Sequence, residues 1–231
     1  MKTTILLSGN EAIARGAYEA GVRALAAMKH VGVNVAADPL ITASYTGVNA
    51  GLVLVSADDP GMHSSQNEQD NRRYARIAKI PMLEPSDSRE AKDFTIRAFE
   101  ISEEYDTPVL LRTTTRVNHG KSVVGLGKPR KPAIGRFARD FQKYVMIPAY
   151  GIKRHAVVEE RLLRLRELSN SIDSNAIEWN DTRMGAITSG ISYQYVKEAV
   201  PDASVLKLVE PKTIERSEGK AKRVIDNRPK D

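Results

Sequence analysis

The chain has 231 residues, 41% of them apolar and 28% charged, with no cysteine and a formal net charge of +6. That length suffices for one large domain, or one domain and part of another, with a sizeable core. The lack of cysteine excludes disulfides, thiolate nucleophiles and cysteine-ligated zinc or iron–sulfur clusters within this chain.

No apolar run approaches the roughly 18 residues of a membrane span, so no membrane partner is expected. The apolar run in Met1–Gly9 is too short for a signal peptide, which makes a cytoplasmic location the expectation. His30, His63, His119 and His155 show no HxH or HxxxH spacing, and no metal site is expected among them.

Charge is uneven along the chain. Residues 1–120 hold 13 basic against 15 acidic residues, and residues 121–231 hold 22 against 14. Between Lys121 and Arg154 nine basic residues face only Asp140. Such a stretch can meet phosphate. A solvated linker or a face for an acidic partner is the simpler reading, and without interleaved aromatics a nucleic-acid partner is not expected.

In chain order, Ile5-Leu-Leu is short and apolar. Ser8-Gly-Asn-Glu11 has capping-box spacing and opens an Ala-rich helix to about Ala20. Arg23 to Lys29 fits either a helix or a strand. Asp38 to Tyr45 reads as a helix, Gly51 to Ala57 as a buried strand and Ile80 to Leu83 as a short strand. Ser86-Asp-Ser-Arg-Glu starts a helix running to about Tyr105, with Ala91, Phe94, Ala98 and Ile101 spaced to face a core. Val109 to Thr114 is the next strand. Alternating strands and helices imply a parallel α/β layer.

From Gly120 to Tyr150 the chain is rich in Gly, Pro and basic residues and reads as a crossover between domains. An amphipathic helix follows from about Lys153 to Ser171, with Val157, Val158, Leu162, Leu165 and Leu168 as its stripe. Ala186 to Ser192 reads as strand, Gly turn and helix start, and Ser204 to Leu208 as a strand. The domains expected are an α/β domain over 1–120, a linker and helix over 121–180, the start of a second α/β domain over 181–209, and a mobile tail over 210–231.

The densest chemistry lies after the strand at Gly51–Ala57, in Ser56-Ala-Asp-Asp-Pro-Gly-Met-His-Ser-Ser-Gln-Asn-Glu-Gln-Asp-Asn-Arg72. Packing does not require so many hydrogen-bonding groups at one strand end, and in open α/β sheets ligands bind there. Thr113-Thr-Thr-Arg116 ends a second strand in the same way, which fits one shared rim.

Several stretches carry a resemblance in family order: LLSGNEAIARGAYEAGV, MKHVGVNVAADPL, YTGVNAGLVLVSADDPGMHSSQNEQDNR, MLEPSDS, PVLLRTTTRV, KYVMIPA and ITSGISYQYVKEAVPDASVLKL. Over about 1–208 the chain resembles the α subunits of indolepyruvate ferredoxin oxidoreductases, in the thiamine-diphosphate-dependent 2-oxoacid:ferredoxin oxidoreductase superfamily. The resemblance implies a pyrimidine-binding-like parallel-sheet α/β domain, here incomplete. A linker and the start of a transketolase-C-terminal-like α/β domain would follow.

The implied activity is oxidative decarboxylation of aryl 2-oxoacids to acyl-CoA. CoA and the oxoacid are the implied substrates, ferredoxin the electron acceptor and a β subunit the partner. Thiamine diphosphate and Mg²⁺ are the implied cofactors. By the same resemblance His63 is the candidate catalytic residue, donating to substrate or shuttling a proton. Lys29, His30, Asn34, Asn49, Ser64, Ser65, Gln66, Asn67, Gln69 and Asp70 are the candidate pocket residues. Asp58-Asp59-Pro-Gly is most simply a turn that caps the loop, and Ser189-Gly-Ile-Ser is similar to a helix start able to hold an anion.

The departures from the family are equally specific. Gly21-Val22 runs straight into Arg23-Ala-Leu-Ala, where the family has a Gly-Tyr-Pro-Gly-Thr-Pro loop and a helix carrying the glutamate that meets the cofactor's aminopyrimidine. An internal deletion of at least one βα unit near 22–23 is implied. Glu11, committed to a capping box, is not a substitute. The Gly-Asp-Gly…Asn diphosphate–Mg²⁺ motif and the cysteine-rich cluster region are also absent, so the isolated chain is expected to be inactive. An inactive fragment or assembly remnant is the alternative.

Overall fold

The computed structural model describes residues 4–20, 23–130, 139–179, 184–201, 205–207 and 224–226. Strand β1 (Thr4–Ser8) leads into helix α1 (Gly9–Ala20), and the capping box forms as spaced. The Ser8 backbone N–H and hydroxyl both donate to Glu11 at 2.8 Å, and Glu11 N–H donates back to Ser8 Oγ at 3.4 Å. These contacts satisfy donors that a helix start otherwise leaves open.

The undecided segment after Arg23 is strand β2 (Ala24–Lys29), followed by helices α2 (His30–Val35) and α3 (Ala37–Thr46). Strand β3 (Leu52–Asp58), helix α4 (Arg72–Ala78), strand β4 (Met82–Leu83), helix α5 (Ser88–Glu104) and strand β5 (Val109–Thr114) complete the first layer. The four strands form one parallel sheet in the order β2-β3-β5-β4. Helix α4 begins at Arg72, where the long polar loop ends.

The sheet is buried on both faces over β3 and β5, as a parallel sheet requires. Leu54 and Leu110 pack with Val33, Leu40, Ala75 and Ala78 of α2, α3 and α4. Val53, Val55, Val109 and Leu111 pack on the opposite face with α1 and α5. Asp87 caps α5 by accepting the Glu90 N–H at 2.8 Å, and Ala91, Phe94, Ala98 and Ile101 are buried as their spacing predicts. Helices α1 and α5 approach so closely at Gly16 that a Cβ there would lie 2.5 Å from the Lys92 carbonyl oxygen.

Helix α4 and helix α5 lie on opposite faces. The chain therefore changes faces between the neighbouring strands β3 and β5, and their carboxyl ends flank a topological switch point.

One expectation is corrected. Strand β1 is not part of the parallel layer. After helix α6 (Thr115–His119), strand β6 (Lys121–Gly125) pairs with it antiparallel in a separate ribbon. Three apolar residues cannot specify a partner. Only Leu7 reaches the core, and Ile5 and Leu6 stay exposed.

The basic segment continues through helix α7 (Phe141–Tyr144) into helix α8 (Pro148–Ser171). Of the expected stripe, Val158 and Leu165 are buried, Leu162 and Leu168 half-buried, and Val157 exposed. The cations do not simply face solvent. Lys143 Nζ donates to Asp106 Oδ1 at 2.7 Å, and Arg154 donates to Asp106 Oδ2 at 3.2 Å and to the Tyr45 carbonyl at 2.6 Å. Arg161 is buried, bonding the carbonyls of Asp106 at 2.7 Å and Ser44 at 2.6 Å. Burial pulls its guanidinium down to about 10, with Asp106 opposing that shift.

Strand β7 (Ile177–Trp179), strand β8 (Met184–Ile187), helix α9 (Ile191–Ala199), strand β9 (Val205–Lys207) and strand β10 (Val224–Asp226) follow. The four strands form a small mixed sheet in the order β10-β8-β9-β7. The expected deletion point at Gly21-Val22, and the expected mobile tail apart from Val224–Asp226, lie outside the described residues. Among the described residues no helix is long and apolar enough to cross a membrane.

Candidate functional site at the carboxyl ends of the parallel strands

Alternation along β3 places Leu54, Ser56 and Asp58 on one face, opposite Leu110, Arg112 and Thr114 of β5 in register. The first pair is apolar core, and the next two bury polar groups at the strand ends. Arg112 Nε donates to Asp58 Oδ2 at 2.8 Å, and Arg112 also pairs with Glu84. The Asp58 side chain is fully buried and that of Arg112 is 8% exposed. Asp58 further accepts the Ser56 hydroxyl at 3.0 Å and the Asn71 N–H at 3.1 Å. Asn71 Nδ2 donates to Ser56 Oγ at 2.9 Å and to the His30 carbonyl at 3.2 Å. This network fixes both ends of the loop between β3 and α4.

Asp59 organises the loop itself. Its carboxylate accepts the Ser65 hydroxyl at 2.6 Å, the Ser64 N–H at 2.9 Å, the Thr115 hydroxyl at 2.8 Å and the His63 N–H at 3.1 Å. The Ser65 hydroxyl and Ser64 N–H, with Thr115 and His63, hold this carboxyl well below the usual range against the opposing effect of burial. The turn that sequence reads as a simple cap is thus the anchor of the whole segment. Lys29, at the end of β2, donates from Nζ to the Ser64 carbonyl at 2.6 Å and lies 3.9 Å from Asp59 Oδ2. Three strand ends therefore meet at one rim.

The structure brings Lys29, His63, Ser64 and Ser65 together there. The His63 side chain is exposed beside Gly61. Gln66 and Asn67 are exposed on the outer part of the loop, and Gln69 Nε2 donates to Asn67 Oδ1 at 2.9 Å. Asp70 forms a two-pronged pair with Arg72 at 2.7 and 2.9 Å. Burial alone would raise the Asp70 carboxyl, and Arg72 more than reverses that. Asn34 accepts the Tyr74 hydroxyl, tying α2 to α4.

Two expected pocket residues lie elsewhere. His30 is the first residue of α2 and is fully buried, with neither ring nitrogen hydrogen-bonded among the described residues, so it does not line the open rim. Asn49 precedes β3 at the opposite end of the sheet, and seven strand residues at about 3.3 Å each put it some 23 Å away.

Sequence reasoning missed Asp58, Asn71, Arg112 and Glu84 as members of the site. The available signal was a charge or hydroxyl at alternate positions of two apolar parallel strands, since a buried charge needs a partner. Glu84 also ties the second sheet to the rim. Ser189 Oγ donates to Glu84 Oε2 at 2.9 Å, and a Cβ on Gly190 would lie 2.9 Å from the Glu84 side chain, where Gly190 has φ +56°. The helix start at Ser189-Gly190 thus faces a carboxylate of its own chain.

Residues 8–182 match the family model described as pyruvate flavodoxin/ferredoxin oxidoreductase, thiamine-diphosphate-binding. The chain belongs to that family. It is 50% identical over 204 residues to indolepyruvate oxidoreductase subunit IorA of Pyrococcus abyssi, a match covering 83% of this chain and 32% of that protein. It is 46% identical over 202 residues to the subunit IorA of Archaeoglobus fulgidus, covering 85% and 32%. The chain thus spans about a third of the length of the curated relatives it matches. Among solved structures, the 2-oxoglutarate:ferredoxin oxidoreductase of Magnetococcus marinus superposes with a TM-score of 0.51 at 12% identity. That match covers 90% of this chain and 54% of the other. At that identity the likeness shows the fold.

The rim of this family member can be tested against the cofactor that its family's description names. The rim carboxylates are already engaged: Asp58 and Glu84 by Arg112, Asp59 by its loop, Asp70 by Arg72, and Glu68 by the Gly61 N–H at 2.9 Å. Among the described residues, no group of three or more His, Cys, Asp or Glu is placed to hold a metal. The described residues therefore do not fit a complete thiamine diphosphate–Mg²⁺ site.

Proposed function

We propose that this chain forms the substrate-side wall of an oxidoreductase that oxidatively decarboxylates aryl 2-oxoacids of the indolepyruvate type. The acyl group passes to CoA and electrons pass to ferredoxin. A β subunit and further polypeptide supply the thiamine diphosphate, Mg²⁺ and iron–sulfur parts, in the cytoplasm.

The observation that carries this reading is the rim where Lys29, Ser64 and the Asp59-anchored loop meet at the switch point. The Lys29 ammonium, which donates to the Ser64 carbonyl and stays partly exposed, supports this reading, since an ammonium pairs readily with an oxoacid carboxylate. His63, on the same loop and open to solvent, offers a hydrogen bond to the keto oxygen. Asn34, Gln66, Asn67, Gln69 and Asp70 are assigned to the same pocket in this reading, and Ser65 holds the loop through its bond to Asp59.

Calorimetric titration of the lone chain with thiamine diphosphate and Mg²⁺ tests the wall reading. No heat beyond dilution is expected, and tight binding would show a complete site. The engaged rim carboxylates equally favour a catalytically inactive remnant of such a subunit. Indolepyruvate- and CoA-dependent reduction of a viologen dye separates the two. Activity when the chain is mixed with the β subunit supports the wall, and its persistent absence supports the remnant.

A further inference from the structure

Strand β2 is the terminal strand of the parallel sheet among the described residues, and its outer edge is unprotected. Natural sheet edges are blunted by charges, proline, bulges or a covering element. From Ala24 to Met28 the strand carries no charge, proline or glycine, and it pairs with β3 in unbroken register. The Ala24 N–H donates to the Gly51 carbonyl at 3.0 Å on the β3 side. By alternation, the backbone groups of Leu25, Ala27 and Lys29 point to the open side. The helical layer also stops short of this strand. Leu25 and Ala27 sit in register with Val53 and Val55, which α1 and α5 cover, yet both are exposed.

The two cations at the strand's ends, Arg23 before it and Lys29 at its last position, are each held by their own chain. Arg23 pairs with Glu103 at 2.6 Å, and Lys29 is drawn to Ser64 and Asp59. Arg23 is therefore paired within its own chain, and the Lys29 ammonium is turned toward Ser64 and Asp59, which lowers the like-charge repulsion that normally keeps two identical edges apart.

We propose that the β2 edge is a self-pairing surface, and that its occupant is β2 of a second copy of this chain. An antiparallel pair about a two-fold axis perpendicular to the sheet must match residues on the same face. That places Ala27 opposite Ala27 of the partner subunit, and Leu25 opposite the partner's Lys29. All three outward residues then exchange both backbone bonds, about six in total. Ala27 meets itself as a hydrogen-bonded pair with Cα atoms about 5.5 Å apart, within the range that a disulfide spans. Leu25 would lie four residues out of register with its own copy.

Because the chain has no cysteine, the register can be read directly. Ala27→Cys under mild oxidant should give a disulfide dimer on a non-reducing gel, and Leu25→Cys should not. Sedimentation velocity should show a concentration-dependent dimer. Ala27→Lys, which opposes two ammonium groups on the axis at an exposed position, should weaken it at least tenfold while leaving the circular dichroism spectrum unchanged. Any of three results would overturn the proposal: a monomer at every concentration, equal crosslinking from both cysteine variants, or a dimer untouched by Ala27→Lys. Protection of the β2 amides from hydrogen exchange only when a β subunit is added would likewise overturn it, assigning the edge to that partner.

Discussion

Replacing Arg112 with methionine removes the cation that touches both Asp58 and Glu84 while keeping most of the side-chain volume. In the native chain Arg112 Nε stands 2.8 Å from a fully buried carboxylate, and its own side chain is 8% exposed. Without it, two carboxylates remain at the strand ends, with only the Ser56 hydroxyl and Asn71 N–H left for Asp58 and the Ser189 hydroxyl for Glu84. Breaking a buried ion pair from one side typically costs about 3–5 kcal/mol, because a charge is left uncompensated away from water. At about 2–4 °C per kcal/mol for a chain of this size, that is a fall of about 6–20 °C in Tm. Urea unfolding followed by circular dichroism at pH 7 measures it. Adding Asp58→Asn and Glu84→Gln to the methionine variant should recover at least half of the loss, since no buried charge then remains. A loss below about 1 kcal/mol, the value of a surface pair, would instead mean that water already solvates the cluster and that no buried charge is left uncompensated.

Asp59→Ala should release the loop without unfolding the sheet, so hydrogen exchange at His63 and Ser64 should speed up while β3 and β5 amides stay protected. The Asp59 carboxyl is depressed in the fold, so its contribution is complete above the ordinary aspartate value near 3.9 and is lost only as pH falls through the lower folded value. The same amides should therefore stay protected from pH 8 to pH 5, and early loss near pH 6 would contradict the assignment. Gly16→Val drives a side chain into the Lys92 carbonyl between α1 and α5, and should cost about 1–3 kcal/mol or more in urea. Asp106→Ala leaves Lys143 and Arg154 without their shared carboxylate, and limited proteolysis should then cut the segment before α8 faster than in the native chain.

The parallel layer was legible because each element carried a local signal. Short continuous apolar runs ending in polar residues marked β3 and β5, Asp87 marked the start of α5, and Ser8 with Glu11 marked α1. β1 failed for the opposite reason: three apolar residues declare a strand but not its neighbour, and pairing with β6 is a long-range choice. The two strand ends share one rim, as their polar termini suggest, and Lys29, Ser64 and Ser65 lie at it, but the buried groups that hold it together carry no such local signal. A search for exposed, chemically active side chains favours His63, Gln66 and Asn67, whereas the site is held by Asp58, Asp59 and Arg112, whose charges only register across two strands brings together. His30 shows the converse error. Its position beside Lys29 suggested a pocket residue, but one step of helix turns it into the interior. The basic segment read as solvated because its partner, Asp106, lies 37 residues before Lys143 in sequence.

In the proposed function the β3–β5 rim receives the oxoacid. The most direct measurement is a titration of the ¹⁵N-labelled chain with indolepyruvate, followed by amide shifts. Saturable shifts confined to Lys29, Asp59 to Asp70 and Thr115 are expected, lost in Lys29→Met with the rest of the spectrum unchanged. Saturable shifts at another surface, with this rim silent, would contradict it.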